Sequence, residues 1–135
     1  MITNSIATIM TKNVVSVTPE QHILDVKHIY EKKNFHHHIP VVDNNKLVGI
    51  ISLVDFMYHI AGAGMNDNNP IYKELNVKNI MSEKPFSMPV TSTIKDVTIV
   101  LAKGKYHAIP ILDNDRLVGI VSTADIIKYF LSEAK

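Results

Sequence analysis

The chain is written twice. Residues His37 to Asp55 align without a gap with His107 to Asp125, and 11 of the 19 positions are identical. Five more are conservative exchanges: Val41/Ile111, Val42/Leu112, Asn45/Asp115, Lys46/Arg116 and Ile51/Val121. The likeness continues backwards with one extra residue in the first copy. Ile9-Met10-Thr11 matches Ile80-Met81-Ser82, and Ile23, Asp25 and Val26 match Ile94, Asp96 and Val97. Each copy is about 60 residues, too few to bury a comfortable core alone, so two copies sharing a core is the expected arrangement. The reading places the first motif at 1–62, a linker at 63–78 and the second motif at 79–135.

One copy can be read element by element. Asn13 to Val17 is rich in β-branched residues and predicts a strand. Thr18-Pro19-Glu20-Gln21 has the form of a helix start, with Thr18 as N-cap, Pro19 at the first helical position and Gln21 closing a capping box. Ile23, Val26, Ile29 and Tyr30 recur at helical spacing and predict an amphipathic helix to about Lys33. The runs HIPVVD and KLVGIIS are joined by Asp43-Asn44-Asn45-Lys46, a hairpin signal. A second helix is expected from Leu53 to Ala61. The order β-α-β-β-α recurs over 79–132, which makes the fold class α+β. Gly62 to Asn79 reads as a loop, with a helical turn near Tyr72 to Leu75.

Composition removes several classes of function. Fourteen basic and 13 acidic side chains leave a net charge of +1 with no arginine-rich block, whereas nucleic-acid binders concentrate basic charge on one face. The apolar runs are too short to span a bilayer, and MITNSIATIM lacks the features of a secretory signal. There is no cysteine, so there is no disulfide framework and no thiolate site; a cytoplasmic location is expected. No phosphate-binding GxxxxGK[ST] loop, no GxGxxG and no serine with an oriented base is present, so the chain does not read as an enzyme.

Two junctions carry chemistry. Ser52-Leu53-Val54-Asp55 and Ser122-Thr123-Ala124-Asp125 stand where a strand hands over to a helix. Serine followed three residues later by an acid is a capping-box pattern that needs no ligand and stabilises a helix start by roughly 1 kcal/mol. The same geometry leaves amide donors and the positive end of the helix dipole available to a phosphate. The histidine run is a poor chelator. In a strand His36 and His38 face one way and His37 the other, so no metal site is expected there.

The paired IPVVD-NNK-LVGIIS-LVD and IPILD-NDR-LVGIVS-TAD, each preceded by an Ile-Met-Thr/Ser segment, resemble a tandem pair of CBS domains, the modules first named for cystathionine β-synthase. The resemblance covers nearly the whole chain. It implies two β-α-β-β-α motifs packed through their sheets with pseudo-twofold symmetry, and a stand-alone regulatory pair whose clefts bind AMP, ADP or ATP. Asp55 and Asp125 would hold ribose; Ser52, Ser122, Thr123, His37, His38 and His107 would reach phosphate. Val15, Ser16, Val17, Ile39 and Pro40, with Phe86, Ser87, Met88, Ile109 and Pro110, would line the adenine. It further implies a homodimeric four-motif disc acting on an unknown enzyme or transporter. The alternative is a ligand-free structural dimerisation module.

Overall fold

The hairpins are the most regular part of the molecule. The computed structural model describes residues 1–32 and 37–134; His36 lies outside them. Along the chain run a 3-10 turn at Ile6–Thr8, then α1 (Ile23–Tyr30), β1 (His38–Asp43), β2 (Lys46–Ser52), α2 (Leu53–Ile60), α3 (Ile71–Glu74) and α4 (Val77–Ile80). β3 (Ser82–Glu83), β4 (Met88–Pro89), α5 (Ile94–Ala102), β5 (Ala108–Asp113), β6 (Arg116–Ser122) and α6 (Thr123–Glu133) complete an α+β fold. β1 pairs antiparallel with β2, and β5 with β6, each through a two-residue turn. Asn44, Asn45 and Asn114 hold φ of 53°, 67° and 57°, left-handed backbone that such turns require and asparagine tolerates.

Both hairpins bulge at the same point, next to Gly49 and Gly119. A Cβ on Gly49 would lie 2.5 Å from Met81 Sδ and 3.0 Å from the Ser82 carbonyl oxygen, and one on Gly119 would strike the Met10 side chain. The residue after each methionine then pairs with the hairpin. Ser82 faces Ile50, and Thr11 exchanges amide hydrogen bonds of 2.9 and 3.0 Å with Ile120. Each hairpin is thus closed by the Ile-Met segment of the other copy. The chain accordingly forms two compact units, Val15–Pro85 and Met1–Val14 together with Phe86 onward. Gly49→Ala is expected to cost about 1–3 kcal/mol, because backbone as well as a thioether must shift. Gly119→Ala should cost less, since only the flexible Met10 is struck; urea denaturation of the two variants checks the order.

In the unit 15–85, Ile23, Val26 and Tyr30 of α1 pack with Ile39, Val41 and Ile51 of the hairpin and with Phe56 and Ile60 of α2. Tyr72 joins this core, its ring 6.4 Å from that of Phe56. Lys27 lies on the apolar face of α1 and is only 1% exposed. Its Nζ is 2.6 Å from Asp67 Oδ1, 2.8 Å from Glu31 Oε2 and 5.5 Å from the Tyr72 ring centroid. His28 Nε2 stands 2.8 Å from Asp67 Oδ2. These contacts tie the segment after α2 back onto α1.

The tie has a pH signature. The Lys27 ammonium, and then His28, hold the Asp67 carboxyl below the usual carboxylate range. A carboxylate depressed in the folded state stabilises above its unfolded value, near pH 4, and that contribution disappears as pH falls through the lowered folded value. Asp67 and Glu31 raise Lys27, so its share is present at neutral pH and is lost only in strong alkali. Asp67→Asn should therefore destabilise at pH 7 and flatten the loss of stability between neutral pH and pH 3, measured by denaturation across that range.

The other unit is centred on Ile6, Ile94, Val97, Leu101, Ile109, Ile111, Val121 and Ile126. Its N-terminal segment is tied to the start of α5, where Ile94 N donates to Asn4 O at 2.9 Å and Lys95 N to Ile2 O at 2.7 Å.

Two local expectations need correction. Asn13 to Val17 is not a strand. Asn13 has φ of 52°, and only Val17 pairs, in a parallel bridge to Val41. The first helix starts at Ile23, not beside Thr18. The Thr18 amide does donate to Gln21 Oε1 at 2.7 Å, but this closes a turn. Backbone that could have continued the turn as helix bonds elsewhere: Pro19 O accepts from Lys78 N (3.0 Å), Gln21 O accepts from Val77 N (2.8 Å), and Ile23 N donates to Leu75 O (3.0 Å). The helical turn expected near Tyr72 is present as α3.

Candidate functional site

Among the described residues β2 runs directly into α2 and β6 directly into α6, and these two strand-to-helix junctions are built alike. The Asp55 amide donates to Ser52 Oγ at 3.0 Å while Asp55 Oδ2 accepts from the Ser52 amide at 3.3 Å. At the second junction the distances are 3.2 and 2.9 Å, between Asp125 and Ser122. Both are complete capping boxes. The next amide is also engaged. Leu53 N donates to His37 O at 2.9 Å, and Thr123 N to His107 O at 3.0 Å. With N1 and N3 satisfied, the N2 amides of Val54 and Ala124 remain as the helix-start donors among the first three, because these positions have no carbonyl partner within the helix.

The phosphate candidates separate by how they are held. His37 and His107 are exposed side chains, and each fixes its junction through its backbone carbonyl. His38 is half-buried opposite Ser52 at the start of β1. Thr123 Oγ1 lies 3.4 Å from His107 O, an orientation toward strand backbone that Leu53 cannot copy. Tyr30, whose hydroxyl is raised well above its ordinary value by burial and then by the Asp55 charge, donates to His37 O at 3.3 Å. It helps fix the junction of the first unit from beneath.

The adenine candidates divide into core and surface. Val17, Ile39 and Ile109 are fully buried core side chains, as are Pro40 and Pro110. Val17 also spends both backbone groups on β1, donating to Pro40 O at 3.1 Å and accepting from Val42 N at 2.9 Å. Val15 and Ser16 are exposed beside them. In the other unit Met88 pairs with Ile111 in a parallel register, Ser87 and Met88 are half-buried, and Phe86 is exposed. Met10 and Met81 pack on Gly119 and Gly49.

Sequence reasoning missed two features. The backbone tether of His37 and His107 has no side-chain signature. The group His28, Glu31 and Asp67, with ligand atoms within 4.8 Å of one another, is the one set among the described residues that could hold a metal ion. Lys27 already supplies the positive charge there, so a cation would compete with a buried ammonium. Among the described residues no helix is long and apolar enough to cross a membrane.

The family model for the CBS domain matches residues 6–62 and 77–132, that is, both copies. The chain belongs to the CBS domain family. A curated relative, the MJ0188 protein of Methanocaldococcus jannaschii, is 32% identical over 122 residues, covering 88% of this chain but 41% of its own length. A solved CBS domain pair, that of protein MJ0100 in complex with 5-methylthioadenosine and S-adenosyl-L-methionine, is 25% identical with a TM-score of 0.77. The likeness covers 96% of this chain and 98% of that one. CBSX2 in complex with AMP, 20% identical, shares the fold over 98% of this chain and 99% of its own, with a TM-score of 0.81.

Proposed function

We propose that this CBS pair is a regulatory module that binds an adenine nucleotide, AMP, ADP or ATP, at its strand-to-helix junctions and passes occupancy to a partner protein. The observation that carries the reading is the pair of matching junctions, each with a carboxylate, a serine hydroxyl and a helix start held together. Asp55 and Asp125 would accept hydrogen bonds from the two ribose hydroxyls. Ser52, Ser122 and Thr123, with the N2 amides, would meet phosphate, and His37, His38 and His107 would neutralise it. Val15, Ser16, Ser87, Met88 and Phe86 offer surface to the base, with the backbone of Ile39, Pro40, Ile109 and Pro110 behind. The adenosine-type ligands of the MJ0100 pair support this class of ligand. The regulated partner would be an enzyme or transporter, and any coupling must come from unequal affinity for two arrangements of the protein. The module itself performs no catalysis and works in the cytoplasm, without nucleic acid or membrane.

A second reading has its own observation. The capping boxes account for both aspartates without a ligand, and α2 and α6 expose Val54, Met57, Tyr58 and Ile127, Phe130, Leu131 at helical spacing. Such faces fit a homodimer, the four-motif disc, and a ligand-free structural module would need nothing more. Calorimetric titration of wild type and of the Asp55→Ala/Asp125→Ala double variant with AMP, ADP and ATP separates the two.

A further inference from the structure

The two methionines that meet the hairpin glycines are placed alike, and in each the sulfur is the atom in contact. A Cβ built on Gly119 would strike Met10 Sδ and lie 2.8 Å from its Cγ and 3.1 Å from its Cε, so the whole thioether rests on bare glycine backbone. At Gly49 the neighbours are Met81 Sδ at 2.5 Å, its Cγ at 3.0 Å and the Ser82 carbonyl oxygen at 3.0 Å. Met81 packs against the core of the unit 15–85 and Met10 against the core of the other unit. Both side chains are half-buried, so a small solute can reach them. Each stands one residue before backbone that pairs with its hairpin, Thr11 with Ile120 and Ser82 with Ile50.

A thioether is open to two-electron oxidation, and the sulfoxide it gives is polar where the thioether was apolar. The terminal oxygen of a hydroperoxide passes to sulfur. The O–O bond breaks, an S–O bond forms, and the terminal proton goes to the departing oxygen, which leaves as an alcohol or water. Sulfur loses two electrons and the peroxide gains them. A methyl on the glycine can be met by turning the thioether aside, but an oxygen on the sulfur turns with it. That oxygen is an acceptor, and the atoms around Gly49 include another acceptor, the Ser82 carbonyl. A polar group held against an apolar core without a donor costs free energy.

We propose that Met10 and Met81 are oxidation sites at which a hydroperoxide unlocks the two hairpins, through sulfoxides that no longer fit against Gly119 and Gly49. Unlocking at Met10 lifts Thr11 from Ile120 and draws Ile6, 0% exposed, out of the core of its unit. Unlocking at Met81 separates Ser82 from Ile50. The inference uses the packing of the two methionines alone and stands apart from the nucleotide reading.

The test uses the full chain, treated with tert-butyl hydroperoxide, with peptide mapping by mass spectrometry to locate each sulfoxide among the six methionines. Met57, 54% exposed on α2, is the internal reference for surface oxidation. Once Met10 and Met81 carry oxygen, the urea midpoint should fall. Trypsin should then cleave after the exposed Lys12 roughly tenfold faster, because cleavage follows the population of the open form. The Met10→Leu/Met81→Leu variant keeps apolar side chains of similar volume; under the same treatment its midpoint and its Lys12 cleavage should not change. The single variants decide the question where the double variant does not fold: Met10→Leu should protect Lys12, and Met81→Leu should leave it sensitive. Sulfoxide absent from Met10 and Met81 under treatment that fully oxidises Met57 would overturn the proposal. So would sulfoxide at both positions with the midpoint and Lys12 cleavage unchanged. Equal loss in the leucine variants would also overturn it, since the damage would then lie at other methionines.

Discussion

Tyr72→Ala is expected to destabilise the unit 15–85 by roughly 3–5 kcal/mol, the cost of deleting a fully buried aromatic side chain. Tyr72 is 0% exposed and stacks at 6.4 Å on Phe56. Its hydroxyl donates to Gly64 O at 2.8 Å, and the buried Lys27 ammonium lies 5.5 Å from its ring. Truncation would open a cavity, strand the Gly64 carbonyl and loosen the surroundings of a buried charge. Because Tyr72 belongs to the segment between the two repeats, the size of the effect measures how far that segment is part of a core. Tyr58→Ala is the control: Tyr58 is 78% exposed, and a surface change of this kind falls within about 0.5 kcal/mol. Urea denaturation reads both, with the midpoint moving and the slope unchanged if only stability is altered. A small shift for Tyr72→Ala would show that the segment rests on the unit without supporting it.

The second large effect is on binding. Removing both junction carboxylates, Asp55→Ala with Asp125→Ala, should on the proposed nucleotide reading lower adenine-nucleotide affinity by roughly a hundredfold or more. The proposed role gives each carboxylate two charge-assisted hydrogen bonds to ribose, and bonds of this kind contribute about 1.5–3 kcal/mol each. The same change breaks half of each capping box, since Asp55 Oδ2 and Asp125 Oδ2 no longer accept the Ser52 and Ser122 amides. The structural cost should be near 1 kcal/mol per helix, well below what unfolding requires. Asp→Asn at both positions keeps an oxygen for the serine amide while removing the charge. If the aspartates act on ligand, Asn restores stability but only part of the affinity. If they act only as caps, the Asn variants match wild type in every respect.

Much of this was legible locally. Asp43-Asn44-Asn45-Lys46 between two β-branched runs specifies a two-residue turn, and Ser52 with Asp55 specifies the start of α2. Every partner in those signals lies within four residues. What escaped has partners far along the chain. The β-branched run Asn13 to Val17 has strand composition, yet Asn13 is left-handed and pairing is confined to Val17 and Val41. Pro19 and Gln21 look like a helix start, but their carbonyls serve Lys78 and Val77. The exchange of the Ile-Met segments could not be read from the repeat, because two equivalent hairpins can accept either copy. Gly49 and Gly119 held the clue, since a bare backbone position in a strand marks a close approach. Lys27, a charge among Ile23, Val26 and Tyr30, was the matching clue in α1. Its partner Asp67 is 40 residues away.

The most direct measurement is calorimetric titration of the purified protein with AMP, ADP and ATP, with and without magnesium and with GTP as a control. The account predicts saturable binding of at least one adenine nucleotide, no comparable binding of GTP, and loss of the heat in the Asp55→Ala/Asp125→Ala variant. Absence of heat and of any thermal shift with all three would contradict it, leaving the two capping boxes as helix starts and the chain as a structural dimerisation module.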